Sequence, residues 1–359
     1  MSRRRRQGSC QARRQILTPQ DFPKYRELML YFYARAATRY LRNKEVDRLS
    51  PGDLVYIVQY LDGEIKSGRG NYVPLLLTLH DRRMYFTLHE ARDFLNNAVN
   101  NIYLNLSLPP ALSFEYGEYL RTYSDFVKGR LLKRKSLCVR SDLLALAVVG
   151  AYLTEYYYKQ ERNKHSRYYM FLDVLGLPFS TATGLLNDAR KLAKAVRLGD
   201  GSPLTLYVGI AALVATRSRL RKRMLRRGGR VILYHVAVEG EERAELRGIP
   251  KVRLASFDQR DLTELMIDIE HLMLGNPLRR LIARYPKAGT ASTSEERALR
   301  SFIENLSRSV YIYHAHRNYE ELYKCLRVLS SEEFNNKMKS LLGEATWNNI
   351  RNGLLSLKL

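Results

Sequence analysis

Cysteine, tryptophan and acidic side chains are all scarce in this chain. Its 359 residues hold 3 Cys and 1 Trp, and 36 Asp and Glu face 60 Lys and Arg. Cys10, Cys138 and Cys325 are far apart and odd in number, and no CxxC occurs. That pattern speaks against a disulfide framework and a cysteine zinc site, and fits a reducing, cytoplasmic compartment. Long apolar runs are missing too. The longest, "LLALAVVGAYL" and "PLTLYVGIAALVAT", fall short of the ~18–20 residues of a bilayer span and read as buried helices. Behind the basic start "MSRRRRQGSCQARRQ" comes no apolar stretch, so a secretory signal is not expected. There is no Walker motif and no GxGxxG, so neither nucleotide hydrolysis nor a dinucleotide cofactor is indicated, and no cofactor is expected.

What is present is positive charge on a chain with enough apolar residues to fold. The hydrophobic fraction is 45 %, ordinary for a globular protein, and the formal net charge is +24. A compact body so charged attracts polyanions. Nucleic acid comes first, an anionic membrane surface second, and a general bias toward solubility or thermal adaptation is the plain alternative. The charge is clustered, which favours a polyanion.

The densest cluster is "RSRLRKRMLRRGGR", 217–230, which contains no acid. The spacing predicts one helix from Pro203 to Arg227, with Leu206, Ile210, Leu213, Leu220 and Met224 along one stripe. Its first half is apolar all round and expected to be buried. Its second half carries Arg217, Arg219, Arg221, Lys222, Arg223, Arg226 and Arg227, with Arg230 just beyond. Gly228-Gly229 reads as the helix stop rather than as an Arg-Gly box. One or two basic residues would complement a helix C-terminus; six or seven exceed that and call for a counter-charge. Arginine suits phosphate because its planar fork binds bidentately.

Further basic candidates are Lys133, Arg134, Lys135 and Arg140 in "KGRLLKRKSLCVR", and Arg162, Lys164 and Arg167 in "RNKHSR". Tyr156–Tyr158 and Tyr168-Tyr169 flank the second group. Rings beside basic groups can stack bases, while the bland reading makes these tyrosines core residues with hydroxyls at the surface.

Catalytic patterns are weak. "HEARD" at 89–93 has Asp where a zinc-protease motif needs its second His. His314 and His316 are two apart and point to different sides of a helix. Asp261, Glu264, Asp268 and His271 fall on one helical face, opposite Leu262, Leu265, Met266, Ile269 and Leu272; a metal could bind such a row, but it reads as a solvated face that could also pair with nearby arginines. Asp53 followed by Glu64-Ile65-Lys66 is a minimal metal-nuclease pattern, with two carboxylates for Mg²⁺ and a lysine to assist water. Glu64 follows Asp62-Gly63, a hairpin-type turn, and the pattern is short and common, so an exposed hairpin with paired charges is the preferred reading. No metal site and no enzyme are expected.

The fold class is expected to be predominantly α with small β hairpins (α+β) and a C-terminal helical bundle. The segments read as a basic arm at 1–17, an α+β domain at 18–110, a mostly helical domain with a small β element at 111–286, and the bundle at 287–359. Within them, a helix is expected at 22–43, strands in "LVYIVQYLDGEIKSG" and in "YVPLLLTLHDRRMYFTL", and a helix at 88–104. Pro109-Pro110 marks a boundary. Ser141-Asp142 opens the helix "LLALAVVGAYLTEYYYKQ", and Ser180 caps one running to about 197. "RVILYHVAV" and "KVRLASF" are strands, and "PKAGTASTSEE" is a linker. Ser330 and Glu333 form a capping box.

From about 200 to 340, the order of a basic-ended helix, "RGGRVILYHVAV", "VRLASFDQRDLTELMIDIEHLM" and "FIENLSRSVYIYHAHRNYEELYKCLRVLSSEEF" resembles the large subunit of archaeal type I-A CRISPR interference (Cascade) complexes. The resemblance implies a cytoplasmic, non-catalytic, antiviral-defence role inside a ribonucleoprotein. Such a subunit contacts guide RNA or target DNA beside other protein subunits, with no membrane involved. Guide pairing supplies most of the sequence specificity there.

Overall fold

The computed structural model describes residues 16–17, 29–69, 73–74, 85–102, 104–108, 137–161, 164–174, 177–198, 203–227, 229–240, 252–285 and 293–357. The protein is predominantly α with small β elements. It divides into two compact units, 1–171 with 235–258, and 172–234 with 259–359.

The first unit is built on two close helices. Helix α1 (Met29–Arg42) lies against α4 (Ser141–Thr154). Nearly all of α4 is buried, because its sequence is apolar on every side. Gly150 lets the two backbones meet: a Cβ there would stand 1.6 Å from the carbonyl oxygen of Tyr33. Helices α2 (Pro51–Lys66) and α3 (Leu88–Val99) pack together, and α3 also packs on α4. Short strands complete this part. β1 (Ile16–Leu17) runs parallel to β5 (Leu137–Arg140), which pairs antiparallel with β4 (Asn105–Leu108), Leu106 opposite Val139. β2 (Val73–Pro74) and β3 (Tyr85–Phe86) form the expected antiparallel pair. β6 (Glu155–Glu161) and β7 (Lys164–Asp173) are antiparallel with an irregularity after Glu155, and begin a four-stranded sheet continued by β8 (Arg230–Gly240) and β9 (Val252–Asp261).

Two sequence expectations fail here. "LVYIVQYLDGEIK" is helix, not a strand and hairpin. Ser50 accepts a hydrogen bond from the Asp53 amide while the Asp53 carboxylate accepts from the Ser50 amide, and Pro51 occupies the first turn. That capping box with its proline starts α2 and overrides the strand preference of the Val, Ile and Tyr residues. The second failure is the helix through Tyr156–Tyr158. It ends at Thr154, whose hydroxyl donates back to the Gly150 carbonyl, and the tyrosines continue as strand β6. Tyr156, Tyr168 and Tyr169 are buried, as the core reading had it, but the hydroxyls of Tyr156 and Tyr169 are buried too rather than at the surface. Likewise 137–140 is strand within a stretch read as helical. Pro109-Pro110 lies outside the described residues.

The second unit surrounds α6 (Pro203–Ala215), which is buried from Thr205 to Ala215. α5 (Phe179–Leu198), α8 (Thr263–His271), α9 (Gly275–Ile282) and α10 (Ser294–His316) all pack on it. Ser180 sits inside α5 rather than capping it. Short helices α11 (Tyr319–Leu326), α12 (Glu332–Leu342) and α13 (Glu344–Leu355) follow. The cap of α12 is Ser331, not Ser330, which belongs to a 3-10 turn at 327–330. Trp347 is fully buried against Phe334, and its indole N–H donates to Asn335 at 2.9 Å. Gly353 meets Pro277, where a Cβ would approach to 2.7 Å, so α13 rests directly on α9.

Asp53 illustrates how capping becomes stability. Its side chain is buried, and Arg42, Lys44 and Ser50 all donate to it at 2.6–2.8 Å. Burial by itself pushes this carboxyl up; hydrogen bonds from Lys44, Ser50 and Arg42 outweigh it and hold it well below the usual carboxylate range. A depressed folded-state value means its contribution is complete above about pH 4 and fades as pH falls below that. Asp53→Asn is expected to lower stability by about 2 kcal/mol at pH 7 and by less at pH 2, where the folded carboxylate is still ionised. Thermal midpoints at both pH values check this, and an unchanged midpoint at pH 7 would refute it.

Candidate nucleic-acid interface

The expected single helix from Pro203 to Arg227 is two helices. α6 ends at Ala215, and α7 runs Ser218–Arg227. At the break, the Thr216 hydroxyl donates to the Leu213 carbonyl, and Arg217 pairs with Asp188 and donates to the Gly184 carbonyl on α5. A helix buried on all sides cannot run straight on into arginines without burying charge. The break turns the chain out of the core where the charge density rises.

α7 has two sides. Leu220 and Met224, one turn apart, are buried. Arg221 forms an ion pair with Glu270 of α8 at 2.7 Å. Lys222 and Arg226 are exposed and Arg223 is half-buried. Arg226 stands four residues after Lys222 and three after Arg223, so these three occupy one side of the helix. Among the described residues, no carboxylate pairs with any of them. Arg230, at the start of β8, pairs with Asp261 at 2.8 Å. The cluster therefore sorts into Arg217, Arg221 and Arg230, which hold acids of this unit, and Lys222, Arg223 and Arg226, which form its open face. The side chains of Arg219 and Arg227 lie outside the described residues.

Of the remaining candidates, only the side chains of Arg140 and Arg167 are described, and each is tied to an acid. Lys133, Arg134, Lys135 and Arg162 lie outside the described residues, as does the side chain of Lys164. Arg140 pairs with Asp142 at 2.6 Å. Arg167 pairs with Glu155 and lies over the Tyr158 ring, 4.3 Å from its centroid. Both act as local ties of the first unit. Among the described residues of this stretch, the tyrosine–arginine stacking is internal.

The nuclease-like residues are not brought together. Asp53, Glu64 and Lys66 share α2, and eleven residues at 1.5 Å rise put the two carboxylates about 16 Å apart along the axis. Asp53 is saturated by its donors, and Glu64 accepts from the Tyr152 hydroxyl. Among the described residues, no three His, Cys, Asp or Glu side chains group as a metal site, and no helix is long and apolar enough to cross a membrane.

The acidic row on α8 divides. Asp268 is not solvated: it is buried, accepts a hydrogen bond from Arg317, and meets His314 Nδ1 at 2.6 Å. Those partners, at the end of α10 and just beyond it, are 46 and 49 residues downstream, so local spacing could not signal them. Arg317 itself adopts a left-handed conformation, φ 54°, to end α10. Asp268, His314 and Arg317 thereby join α8 to α10 and steady the surface on which Arg221 is anchored.

No protein-family model, no curated protein and no solved structure matches this chain.

Proposed function

We propose that this protein binds nucleic-acid backbone through the open face of α7, without catalysing a reaction, as a subunit of a CRISPR RNA-guided interference ribonucleoprotein. The observation that carries the first part is the division within the cluster. Lys222, Arg223 and Arg226 share one side of a helix fixed by Leu220, Met224 and the Arg221–Glu270 pair, and no described acid neutralises them. Cations held on a rigid element with no internal counter-charge suit a regularly spaced polyanion. The net charge of +24 supplies long-range attraction. The assembly rests on the order of segments from about 200 to 340, which resembles the type I-A large subunit.

Binding to labelled duplex and single-stranded DNA and RNA across a salt series tests the first part. Three phosphate contacts predict a fall of log affinity on log salt with a slope of about −2.7 for duplex DNA. A slope near zero, or flotation with anionic liposomes that nucleic acid does not compete away, would sink it. Sequencing RNA that co-purifies from the native host tests the second part, with CRISPR-derived RNA as the expected result.

A further inference from the structure

In the second unit, an open surface cavity of about 530 Å³ is lined by Arg280, Ala283, Arg284, Ala345, Thr346 and Asn349. Its size is that of a small-molecule site. One wall is the end of α9 and the turn that follows it, which carry Arg280 and Arg284 four residues apart. Arg280 is exposed and donates to the Asn349 side-chain oxygen at 2.7 Å, a single bond that leaves most of its five N–H donors free of it. The Arg284 side chain is exposed and makes no hydrogen bond or ion pair to a described residue.

The opposite wall, from α13, adds neutral donors: the Thr346 hydroxyl and the Asn349 amide nitrogens. Among the described residues, no carboxylate lines the cavity. The nearest in sequence, Glu344, pairs with Lys339 at 3.1 Å. Gly343 caps α13 with no side chain, so the amides of the first turn also lack an internal partner. Two guanidinium forks, a hydroxyl and amide donors around one concavity, without an acid, match one ligand chemistry: a dianion with several acceptor oxygens.

We propose that this cavity binds a phosphate monoester of mononucleotide size. Such a group could arrive on a free nucleotide or on the 5′ end of a nucleic-acid strand. The site lies on α9 and α13, uses none of the residues of α7, and does not depend on the function proposed above.

Calorimetric titration of the full-length protein with inorganic phosphate, AMP and adenosine tests it. Phosphate and AMP should bind and adenosine should not. Arg284→Gln removes a side chain without described partners, so folding should be retained; it is expected to weaken AMP binding about tenfold or more. Arg280→Gln should weaken it similarly, with a thermal melt to show that the variant remains folded. Charge reversal at Lys222, Arg223 and Arg226 should leave AMP binding unchanged. A 5′-phosphorylated oligonucleotide that outcompetes its 5′-hydroxyl twin in wild type, and loses that advantage in Arg284→Gln, identifies a strand end as the source; equal competition identifies the free nucleotide. Absence of phosphate and AMP binding at millimolar concentration, or AMP affinity untouched by Arg284→Gln, overturns the proposal.

Discussion

Reversing Lys222, Arg223 and Arg226 to Glu together is expected to weaken duplex binding by about two orders of magnitude near 0.1 M salt, and to flatten the salt slope by about 2.7. The thermal midpoint should not move. All three side chains lie on the open side of α7, and none holds a described carboxylate. Leu220 and Met224, which fix the helix, stay in place. Arg221→Glu is the contrasting variant. It would set a second carboxylate against Glu270 at a position now bridged at 2.7 Å, and should lower stability. Binding by fluorescence anisotropy, with thermal melts of both variants, separates the roles. Wild-type affinity in the triple variant would remove α7 from the interface.

The second large effect concerns the core. Gly150→Ala is expected to destabilise the first unit by about 3 kcal/mol or more. The added Cβ would stand 1.6 Å from the Tyr33 carbonyl oxygen and 2.3 Å from its carbon. That neighbour is backbone in the middle of α1 and cannot rotate away as a side chain could. The helices would have to separate, loosening Tyr33 from its edge-on contact with Tyr169, whose ring centroid is 5.2 Å away. Gly63→Ala is the control. Gly63 lies inside α2 with nothing within 4 Å of an added Cβ, so the change should stabilise by about 0.5–1 kcal/mol. Chemical denaturation monitored by circular dichroism checks both, and a wild-type midpoint for Gly150→Ala would contradict the close approach.

Much of the helical framework is legible in the chain. α3, α5 and the four C-terminal helices announce themselves through apolar spacing, and β8 through its β-branched run. α2 was legible by a different signal than the one that dominates its composition. Val55, Ile57, Val58 and Tyr60 argue for strand, while Ser50, Pro51 and Asp53 argue for a helix start, and the start decides because it satisfies backbone donors that no side-chain preference can. The basic face of α7 was visible as composition, but not its division. Which arginines are held depends on Asp188, Glu270 and Asp261, distant in sequence from their partners. Asp268 was misread for the same reason. A spacing rule sees only one helix, and burial of a charge is decided by what the rest of the chain brings to it.

The all-round burial of α6 has a consequence for synthesis. The 13 residues of α6, 203–215, apolar but for Thr205, leave the ribosome with one of their four packing neighbours, α5, already made. The other three, α8, α9 and α10, are encoded between residues 263 and 316. At about 5–20 residues per second, α6 waits seconds for its cover, long enough for apolar surface to find another nascent chain. A holding chaperone, or a slow and dilute refolding protocol, should therefore raise the soluble yield of this protein more than any change to its exposed basic face.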